Sequence, residues 1–357
     1  MYIYFSVLIF AWLISYFADK KDNKRLLMVV VFLVSGLAGL RSSSVGTDTM
    51  TYTRLITNII SGSSGYFIEE PGFVFLVKTI GGISKNINFV FFVIALITNA
   101  LILFRFWSLK KYVSFSTMTS LYFAMYYPQT MNIMRQLLAI SIVFSATYFL
   151  EKRSYIKFLL FVFLATTIHQ SAYISIFMLP ISYYYLNRKT VKRFLLVLMS
   201  CMCVPVFYMI TQDMILESYL YLLNLRQSGW NIIVIIKVAF FFLYYFASYR
   251  AYKNMEICEI NENTESTVLY DLQKRKIAIV LYFIGLVLLI VGSLFDQGER
   301  ISYYYTFCGI PIAALAVKDN RYRQLFALAI VFVIGFYSIV KICIQGYCGI
   351  YPYISIL

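Results

Sequence analysis

The sequence predicts an all-α protein, a polytopic bundle of transmembrane helices forming a single integral membrane domain over residues 1–357. Of the 357 residues, 61% are hydrophobic and 13% are charged, whereas soluble domains average about 45–50% apolar and about 25% charged residues. The apolar runs are long and continuous, which favours helices over the alternating strands of a membrane barrel. A chain of this length has room for about 11–12 membrane-spanning or half-spanning helices.

The candidate spans follow the apolar runs in chain order. They cover residues 2–17, 26–40, 88–106, 113–127, 137–150, a pair within 158–186, 194–210, 231–249, 277–294, 303–317 and 325–343. Several are shorter than the roughly 20 residues that cross a bilayer, so tilting or local thinning must cover the difference. No basic region precedes the first span, so we do not expect a cleaved signal peptide.

The positions of the basic residues support this order of spans. With the N-terminus outside, 22 of the 31 Lys and Arg residues fall on one side, as expected for cytoplasmic loops. Lys237 and Lys341 fall within spans. The outer side receives seven basic residues, namely Arg41, Arg54, Lys78, Lys85, Arg135, Arg226 and Arg300. The net charge of +15 is therefore explained by membrane topology, and we expect no nucleic-acid partner.

Residues 71–84 are apolar but too short for an ordinary span. If they crossed the membrane, Lys110 and Lys111 would move outside and the alternation of charge would fail. We therefore expect a re-entrant or interfacial helix on the outer side, following an outer loop of residues 41–70.

Residues 158–186 must leave the cytoplasmic side and return to it, because both of their flanks are basic. Two half-length helices meeting near His169, Gln170 and Ser171 would form such a broken hairpin. Non-helical backbone at membrane depth is stable only inside protein or beside a wet cavity. One long tilted helix is the alternative, but it would invert every later loop. Residues 250–276 are expected to form a cytoplasmic connecting loop of mixed charge.

No metal or cofactor is expected from the residue types. His169 is the single histidine, and the six cysteines form no CxxC pair, so a protein-ligated zinc or iron site is not supported. The GxGxxG, Walker A and HExxH patterns are missing from the sequence. Cys343 and Cys348 are candidates for an extracytoplasmic disulfide, with unpaired cysteines as the alternative.

The outer-side arginines are the first candidates for a functional site, because arginine keeps its charge and binds phosphate with a planar fork. Arg41 closes the second span, and Asp48 follows it after a glycine-containing turn. The two residues form either an interfacial ion pair or part of a phosphate-binding loop at a helix end.

Arg135 lies just before the apolar run of residues 137–150, between the amides of Asn132 and Gln136. Because Asn132 and Arg135 are three positions apart, we expect them to share one helix face. A snorkelling arginine at the end of a span is the alternative. The polar amides beside it favour a binding site instead.

Two acid–base candidates follow from the predicted topology. His169 changes charge near neutral pH, and its place in the broken hairpin favours more than a packing role. Glu70 precedes Pro71, where an acid favours the helix dipole or serves as a general base. Arg300, beside Asp296 and Glu299, is either an outer binding residue or a surface ion pair.

A further outer candidate is Arg226, in the segment NLRQSGW. Four longer segments occur in the order GLRSSSVGTDTMTYTRL, EEPGFVFLVKTI, MRQLLAISIVFSATYFLEKRSYIKFLLFVFLATTIHQSAYISI and ERISYYYTF. Their short patterns are RxxxVGTD, EPGF, RQ, IHQSA and RxxYY. In this order they resemble the EpsG-like branch of the Wzy-type bacterial polysaccharide polymerases, over most of the chain. The three serines after Arg41 stand where relatives often carry aromatic residues or glycine.

The resemblance implies a metal-independent glycosyltransferase of the bacterial inner membrane, with no cofactor and with its site facing the periplasm or the outside. Such enzymes join undecaprenyl-diphosphate-linked oligosaccharide repeat units into O-antigen, capsule or exopolysaccharide, and release undecaprenyl diphosphate. The implied partners are this lipid-linked substrate, membrane lipids, and the chain-length regulator and flippase of the same pathway.

The positions matching the family patterns are Arg41, Asp48, Glu70, Arg135, Gln136, His169, Arg300 and Tyr304. As a catalytic base or orienting group for the acceptor we favour His169, with Asp48 and Glu70 as alternatives. Diphosphate contacts are expected from Arg135, Arg300 and Arg41. Further contacts to diphosphate or glycan are expected from Gln136, Asn132, Arg226 and Tyr304.

Two other activities remain open at this stage. A glycan ligase would move lipid-linked glycan to another acceptor, but ligases usually carry their His and Arg in a large outer loop. A flippase or transporter would show internal repeats and paired broken helices, whereas this chain has one predicted broken hairpin. A membrane scaffold would not account for the outer arginines.

Overall fold

The computed structural model of the protein describes residues 2–63, 70–186, 266–292, 299–318, 346, 349–350 and 352–356. These residues form helices and no β-strand, apart from one isolated antiparallel bridge between Arg41 and Ser355. The predicted spans 194–210, 231–249 and 325–343 lie outside the described residues. So do Arg226, Cys343 and Cys348.

The described helices follow one another in this order: α1 (Tyr2–Lys21), α2 (Lys24–Gly39), α3 (Thr49–Ser61), α4 (Pro71–Ile83), α5 (Ile87–Leu109), α6 (Phe115–Met125), a 3-10 helix (Tyr127–Met131), α7 (Met134–Glu151), α8 (Tyr155–Ile168), a second 3-10 helix (Gln170–Phe177), α9 (Met178–Leu186), α10 (Ser266–Gly292), α11 (Glu299–Thr306) and α12 (Gly309–Lys318). Each predicted span within the described residues overlaps a helix.

Local sequence explains where several helices begin and end. Asn23 precedes α2 and its side chain accepts a hydrogen bond from the backbone N–H of Arg25 at 2.9 Å. Asn86 does the same for α5 through the N–H of Asn88, also at 2.9 Å. Both satisfy a backbone donor that the first turn of a helix leaves without a partner. At the other end of α3, Gly62 adopts φ +72°, which glycine tolerates without strain.

Three predicted segments differ in detail from the helices of the structure. The outer loop 41–70 contains α3, an amphipathic helix whose buried residues Tyr52, Leu55, Ile56 and Ile59 recur with helical spacing. α10 begins at Ser266, so it takes in the end of the predicted loop 250–276. The predicted span 303–317 is interrupted after Thr306. Pro311 explains this break, because proline clashes with the carbonyl four residues earlier and supplies no N–H.

Two of the described helices, α1 with 20 residues and α5 with 23 residues, are long and apolar enough to cross a membrane. Shorter apolar helices occur at Pro71–Ile83, Tyr155–Ile168 and Lys276–Ile290. Together with the 61% hydrophobic composition, these helices indicate a membrane protein. The complete bundle of about 11–12 spans stays a prediction.

The chain is organised as two compact units, residues 1–145, 161–172 and 320–357, and residues 146–160 and 173–319. In the first unit α2 and α5 approach closely at Gly39, where a Cβ atom would lie 2.5 Å from the Cα of Phe92. Buried Asn99 of α5 donates to the hydroxyl of Ser35 in α2 at 3.3 Å and accepts from the hydroxyl of Tyr122 in α6 at 2.8 Å. This polar junction fixes three helices to one another.

In the first unit, segments assigned to the same side of the membrane contact one another. On the side predicted to be cytoplasmic, Lys110 pairs with Asp22, and the Ser114 hydroxyl donates to Asp19 at 2.8 Å. At the opposite end, the Gly46 N–H donates to the carbonyl of Gly349 at 2.9 Å. These contacts are compatible with the predicted alternation. Which end faces the outside stays a prediction.

The chain breaks near His169. Helix α8 ends at Ile168, and the chain continues as a 3-10 helix from Gln170 before α9. The rings of Tyr155, at the start of α8, and Tyr183, in α9, lie 5.6 Å apart, so the segment returns on itself. Fourteen residues of α helix extend about 21 Å, less than the thickness of a bilayer core. The segment is therefore a hairpin of short helices.

The second unit is built on α10 and α11. A Cβ atom on Gly285 of α10 would lie 2.8 Å from the backbone nitrogen of Thr306, so glycine allows the two helices to touch. The hydroxyl of Tyr305 in α11 donates to the carbonyl of Ile174 at 2.8 Å. Tyr304 and Tyr305 are both buried, so α11 presents its aromatic face to the interior of this unit.

Candidate functional site

Glu70 lies at the centre of a polar cluster in the first unit. It occupies the position just before α4, because Pro71 begins that helix with a backbone angle already suited to the first turn. Its carboxylate does not cap the helix. The side chain is only 8% exposed and turns toward neighbouring elements instead. The expectation that Glu70 merely complements the helix dipole is therefore incomplete.

The two carboxylate oxygens of Glu70 bind different partners. Oε2 accepts a hydrogen bond from Nη1 of Arg135 at 2.5 Å, as an ion pair. Oε1 lies 2.5 Å from Nδ1 of His169 and also accepts a longer bond, 3.4 Å, from the backbone N–H of Gln170. Three residues singled out from the sequence, far apart along the chain, thus meet through one carboxylate.

Close helix packing brings these three residues together. A Cβ atom on Gly72, in the first turn of α4, would lie 2.2 Å from Oγ1 of Thr167, near the end of α8. Only glycine allows this approach, which places Glu70, before α4, beside His169, after α8. Arg135 reaches the same point from the first turn of α7, which begins at Met134.

Two aromatic rings flank the guanidinium of Arg135. The ring centres of Tyr52 in α3 and Phe73 in α4 each lie 5.7 Å from its Cζ atom. Both distances are within the range of a cation–π interaction. Further along the same helices, a Cβ atom on Gly81 would lie 2.7 Å from Cγ1 of Ile60. The helices α3 and α4 therefore run side by side in the same direction, and their first turns enclose Arg135.

The electrostatics of the cluster favour an ionised Glu70. Burial alone would raise the pKa of Glu70. The hydrogen bond and charge of His169, followed by the charge of Arg135, outweigh burial and hold the pKa of Glu70 below its ordinary value. An ionised carboxylate only accepts hydrogen bonds, so Nδ1 of His169 is the donor. In the neutral imidazole, Nε2 is then the atom able to take a proton.

Asn132 has a different position from the one expected. The α7 helix begins at Met134, so Asn132 precedes it at the end of a 3-10 helix and does not share a helix face with Arg135. Its side-chain oxygen accepts hydrogen bonds from the Thr47 hydroxyl and, at 3.1 Å, from the backbone N–H of Asp48. Asn132 therefore holds the loop before α3.

Asp48 occupies the position before α3 without capping it. Its carboxylate accepts a hydrogen bond from the Thr47 hydroxyl at 3.3 Å. In the described part of the chain it makes no ion pair, and in particular none with Arg41. The interfacial Arg41–Asp48 pair considered from the sequence is therefore not formed.

Arg41 is 1% exposed and belongs to the support of this loop. Its Nε donates to the hydroxyl of Thr49 at 3.2 Å, its Nη1 donates to the carbonyl of Ala38, and its Cζ lies 4.4 Å from the ring centre of Phe91. Its Nη2 has no hydrogen-bond partner among the described residues. Contact between Arg41 and a diphosphate stays a prediction.

One further predicted residue joins the cluster, and two lie in the other unit. Nε2 of Gln136 donates to the hydroxyl of Ser171 at 3.4 Å, which joins α7 to the hairpin break. Arg300 lies in the first turn of α11, and Tyr304, 1% exposed, lies in the same helix. The described residues contain no group of three or more His, Cys, Asp or Glu side chains that could hold a metal ion.

The comparison with protein families adds the deciding observation. The model of the EpsG family matches residues 24–355. The chain belongs to the EpsG family. No curated protein and no solved structure matches it. The family match includes all the predicted site residues and extends to Ser355, close to the end of the chain.

In this EpsG-family protein, sequence reasoning missed the residues that support the cluster. Tyr52 and Phe73 flank Arg135, Gly72 admits Thr167, and Ser171 receives Gln136. A hydroxyl or an aromatic ring in an apolar chain gives no signal of its own. Gly72 carried one usable signal, since glycine in the first turns of an apolar helix indicates close packing.

Proposed function

We propose that the protein is a polysaccharide polymerase that joins lipid-diphosphate-linked oligosaccharide repeat units. Membership of the EpsG family indicates a polymerase-like role in polysaccharide biosynthesis. The observation that carries the finer proposal is the Glu70 carboxylate, which binds His169 through one oxygen and Arg135 through the other. A base with an orienting acid, beside a fixed positive charge, suits glycosyl transfer from a diphosphate.

The reaction assigns one role to each member of the cluster. Nε2 of His169 takes the proton from a hydroxyl of the acceptor glycan, while Glu70 holds the imidazole by Nδ1. The hydroxyl oxygen forms a bond to the anomeric carbon of the donor glycan. The bond between that carbon and the lipid diphosphate breaks, and the electron pair leaves with the diphosphate. Glu70 is thus an orienting residue here.

Arg135 would stabilise the negative charge that grows on the leaving diphosphate. Its side chain is 27% exposed even though Nη1 is paired with Glu70, so an anion can still approach it. The rings of Tyr52 and Phe73 restrict its movement, and a preorganised charge is worth more than a mobile one. Arg300 and Arg226 are proposed as further diphosphate contacts.

The proposed setting is the bacterial inner membrane, with the cluster facing the periplasm or the outside. The excess of basic residues on the opposite side supports this orientation. The donor and acceptor are proposed to be undecaprenyl-diphosphate-linked oligosaccharides, and the product O-antigen, capsule or exopolysaccharide. A flippase and a chain-length regulator of the same pathway are proposed as partners.

The test is the length of the glycan made by cells whose only copy of this protein carries Arg135→Ala, Arg300→Ala or His169→Ala. We expect long glycan to collapse to single repeat units while lipid-linked single units persist on the outer face. Arg54→Ala is the matched control, because Arg54 is exposed and lies on the same predicted side. Lipid-linked single units that stay on the inner face of the membrane would indicate a flippase. Long glycan that stays attached to its lipid carrier would indicate a ligase.

A further inference from the structure

The residues near the end of the chain pack against the loop that precedes α3. We define the tail segment as residues 349, 350 and 352–356. The Ser42 N–H donates to the carbonyl of Ile354 at 2.9 Å, and the Ile356 N–H donates to the carbonyl of Leu40 at 3.0 Å. These bonds flank the bridge between Arg41 and Ser355. Ile350 is fully buried and Tyr353 is 6% exposed, so these two side chains anchor the tail segment in the first unit.

A second contact lies further along the same loop. The Gly46 N–H donates to the carbonyl of Gly349 at 2.9 Å. On the other face of the loop, a Cβ atom on Gly46 would lie 2.7 Å from the carbonyl oxygen of Met131. The loop at Gly46 is therefore one backbone thick, between the tail segment and the 3-10 helix Tyr127–Met131. Gly46 has a φ of +97°, a backbone conformation that also requires glycine.

Side-chain bonds from Arg41, Asn88 and Asn132 also hold the loop, but its own backbone contributes few bonds. Its own backbone contributes the bonds from Val45 N–H to Ser42 at 3.0 Å and from Thr49 N–H to Gly46 at 3.2 Å. Both are turns of four residues. The N–H groups of Ser42 and Gly46 instead depend on the tail segment, and a backbone donor without a partner is unfavourable when buried.

We propose that the tail segment is a positioning element of the functional site. It holds the loop of residues 41–48, the loop fixes where α3 begins, and the first turn of α3 delivers Tyr52 to Arg135. No residue of the tail segment is assigned to contact substrate. The effect on catalysis rests on the proposed polymerase function, whereas the effect on the loop does not.

Hydrogen exchange of the purified full chain tests the structural half of the proposal. Deletion of residues 352–357 removes the backbone bonds at Ile354 and Ile356, the bond from the Tyr353 hydroxyl to Leu37 and the bond from the Ser355 hydroxyl to Leu40. We expect the amides of residues 41–50 to exchange at least about tenfold faster, because each lost hydrogen bond contributes about 0.5–1.5 kcal/mol. Exchange in α5 should not change. Unchanged exchange in the loop overturns the proposal, as does an equal rise in α5.

A pair of glycine variants tests the catalytic half. Gly349 and Gly346 have φ of +60° and +62°, so alanine strains the backbone equally at both. Only at Gly349 would the new Cβ meet the loop, 3.1 Å from the nitrogen of Thr47. At equal amounts of folded protein, we expect Gly349→Ala to lower kcat for polymerisation by at least about tenfold relative to Gly346→Ala. The displaced loop would shift Tyr52 and with it Arg135, which acts on the leaving group.

Two outcomes overturn the catalytic half. One is equal kcat for the two glycine variants. The other is a loop that exchanges faster in the deletion variant while polymerisation stays at the wild-type rate. If the wild-type protein does not polymerise at all, the proposed function fails, and the exchange experiment still decides whether the tail segment holds the loop.

Discussion

Nδ1 of His169 lies 2.5 Å from Oε1 of Glu70, although 98 residues separate the two along the chain. The contact joins the break that follows α8 to the residue just before α4. Because the Glu70 carboxylate also binds Arg135, the imidazole and the guanidinium share a single anion. The predictions below follow from this arrangement.

Loss of the imidazole should have the largest effect on catalysis. His169→Ala removes the group that takes the acceptor proton, and positioned acid–base groups contribute roughly 10²–10⁴-fold to rate. Glu70→Gln should lower the rate by a smaller factor, because the imidazole remains but loses its orientation. Initial rates with purified protein would check this order. A Glu70→Gln rate below that of His169→Ala would assign the base role to Glu70.

The ion pair should appear in a double-mutant cycle. Arg135→Ala leaves a nearly buried carboxylate with one fewer partner, which costs about 1–3 kcal/mol in the free energy of unfolding. Because Arg135 is 27% exposed, the lower half of that range is expected. The double variant with Glu70→Ala should lose less than the sum of the two single variants. Additive losses in thermal unfolding would show that the pair is not coupled.

Stability should depend on acid through Glu70. Its pKa in the folded protein is lowered from the ordinary 4.5, so the ionised form is the one that folding favours. The contribution is therefore complete above pH 4.5 and is lost as the pH falls below that value toward the folded pKa. The difference in Tm between wild type and Glu70→Gln should shrink in that acidic window. A difference that grows there would reverse the assigned charge state.

The close approach of α4 to α8 should tolerate no side chain. Gly72→Ala places a Cβ 2.2 Å from Oγ1 of Thr167, and overpacking typically costs about 1–3 kcal/mol. The matched control is Gly82→Ala in the same helix, where no atom lies within 4 Å of the new Cβ. We expect lower Tm and lower activity for Gly72→Ala alone. Equal effects at the two positions would contradict the packing described at Gly72.

The orientation of the first unit can be tested by labelling. In a variant without the six native cysteines, Ser43→Cys should react with a membrane-impermeant thiol reagent added to intact cells. Lys111→Cys should react only after the membrane is opened. Both positions are exposed in the structure, so accessibility depends on the side of the membrane. Labelling of Lys111→Cys in intact cells would show that the true topology is the inverse of the predicted one.

The sequence predicted the helical class and the break near His169. Long apolar runs follow from burial in the bilayer core, and basic flanks follow the side of the membrane, so both patterns can be read without knowing the packing. It missed α3, whose apolar residues are spaced rather than continuous. It also placed Asn132 on the helix of Arg135, since a spacing of three does not reveal that α7 begins between them. The bonds made by Glu70 could not be foreseen, because they depend on Gly72 admitting Thr167.

The most direct test is the product made by purified protein in lipid vesicles supplied with lipid-diphosphate-linked repeat units. Wild type and Arg54→Ala should build a ladder of multiple repeats and release lipid diphosphate. His169→Ala and Arg135→Ala should leave the single-unit substrate intact at the same amount of folded protein. A full ladder from either of these two variants at the wild-type rate would contradict the assignment of the cluster around Glu70 as the catalytic centre.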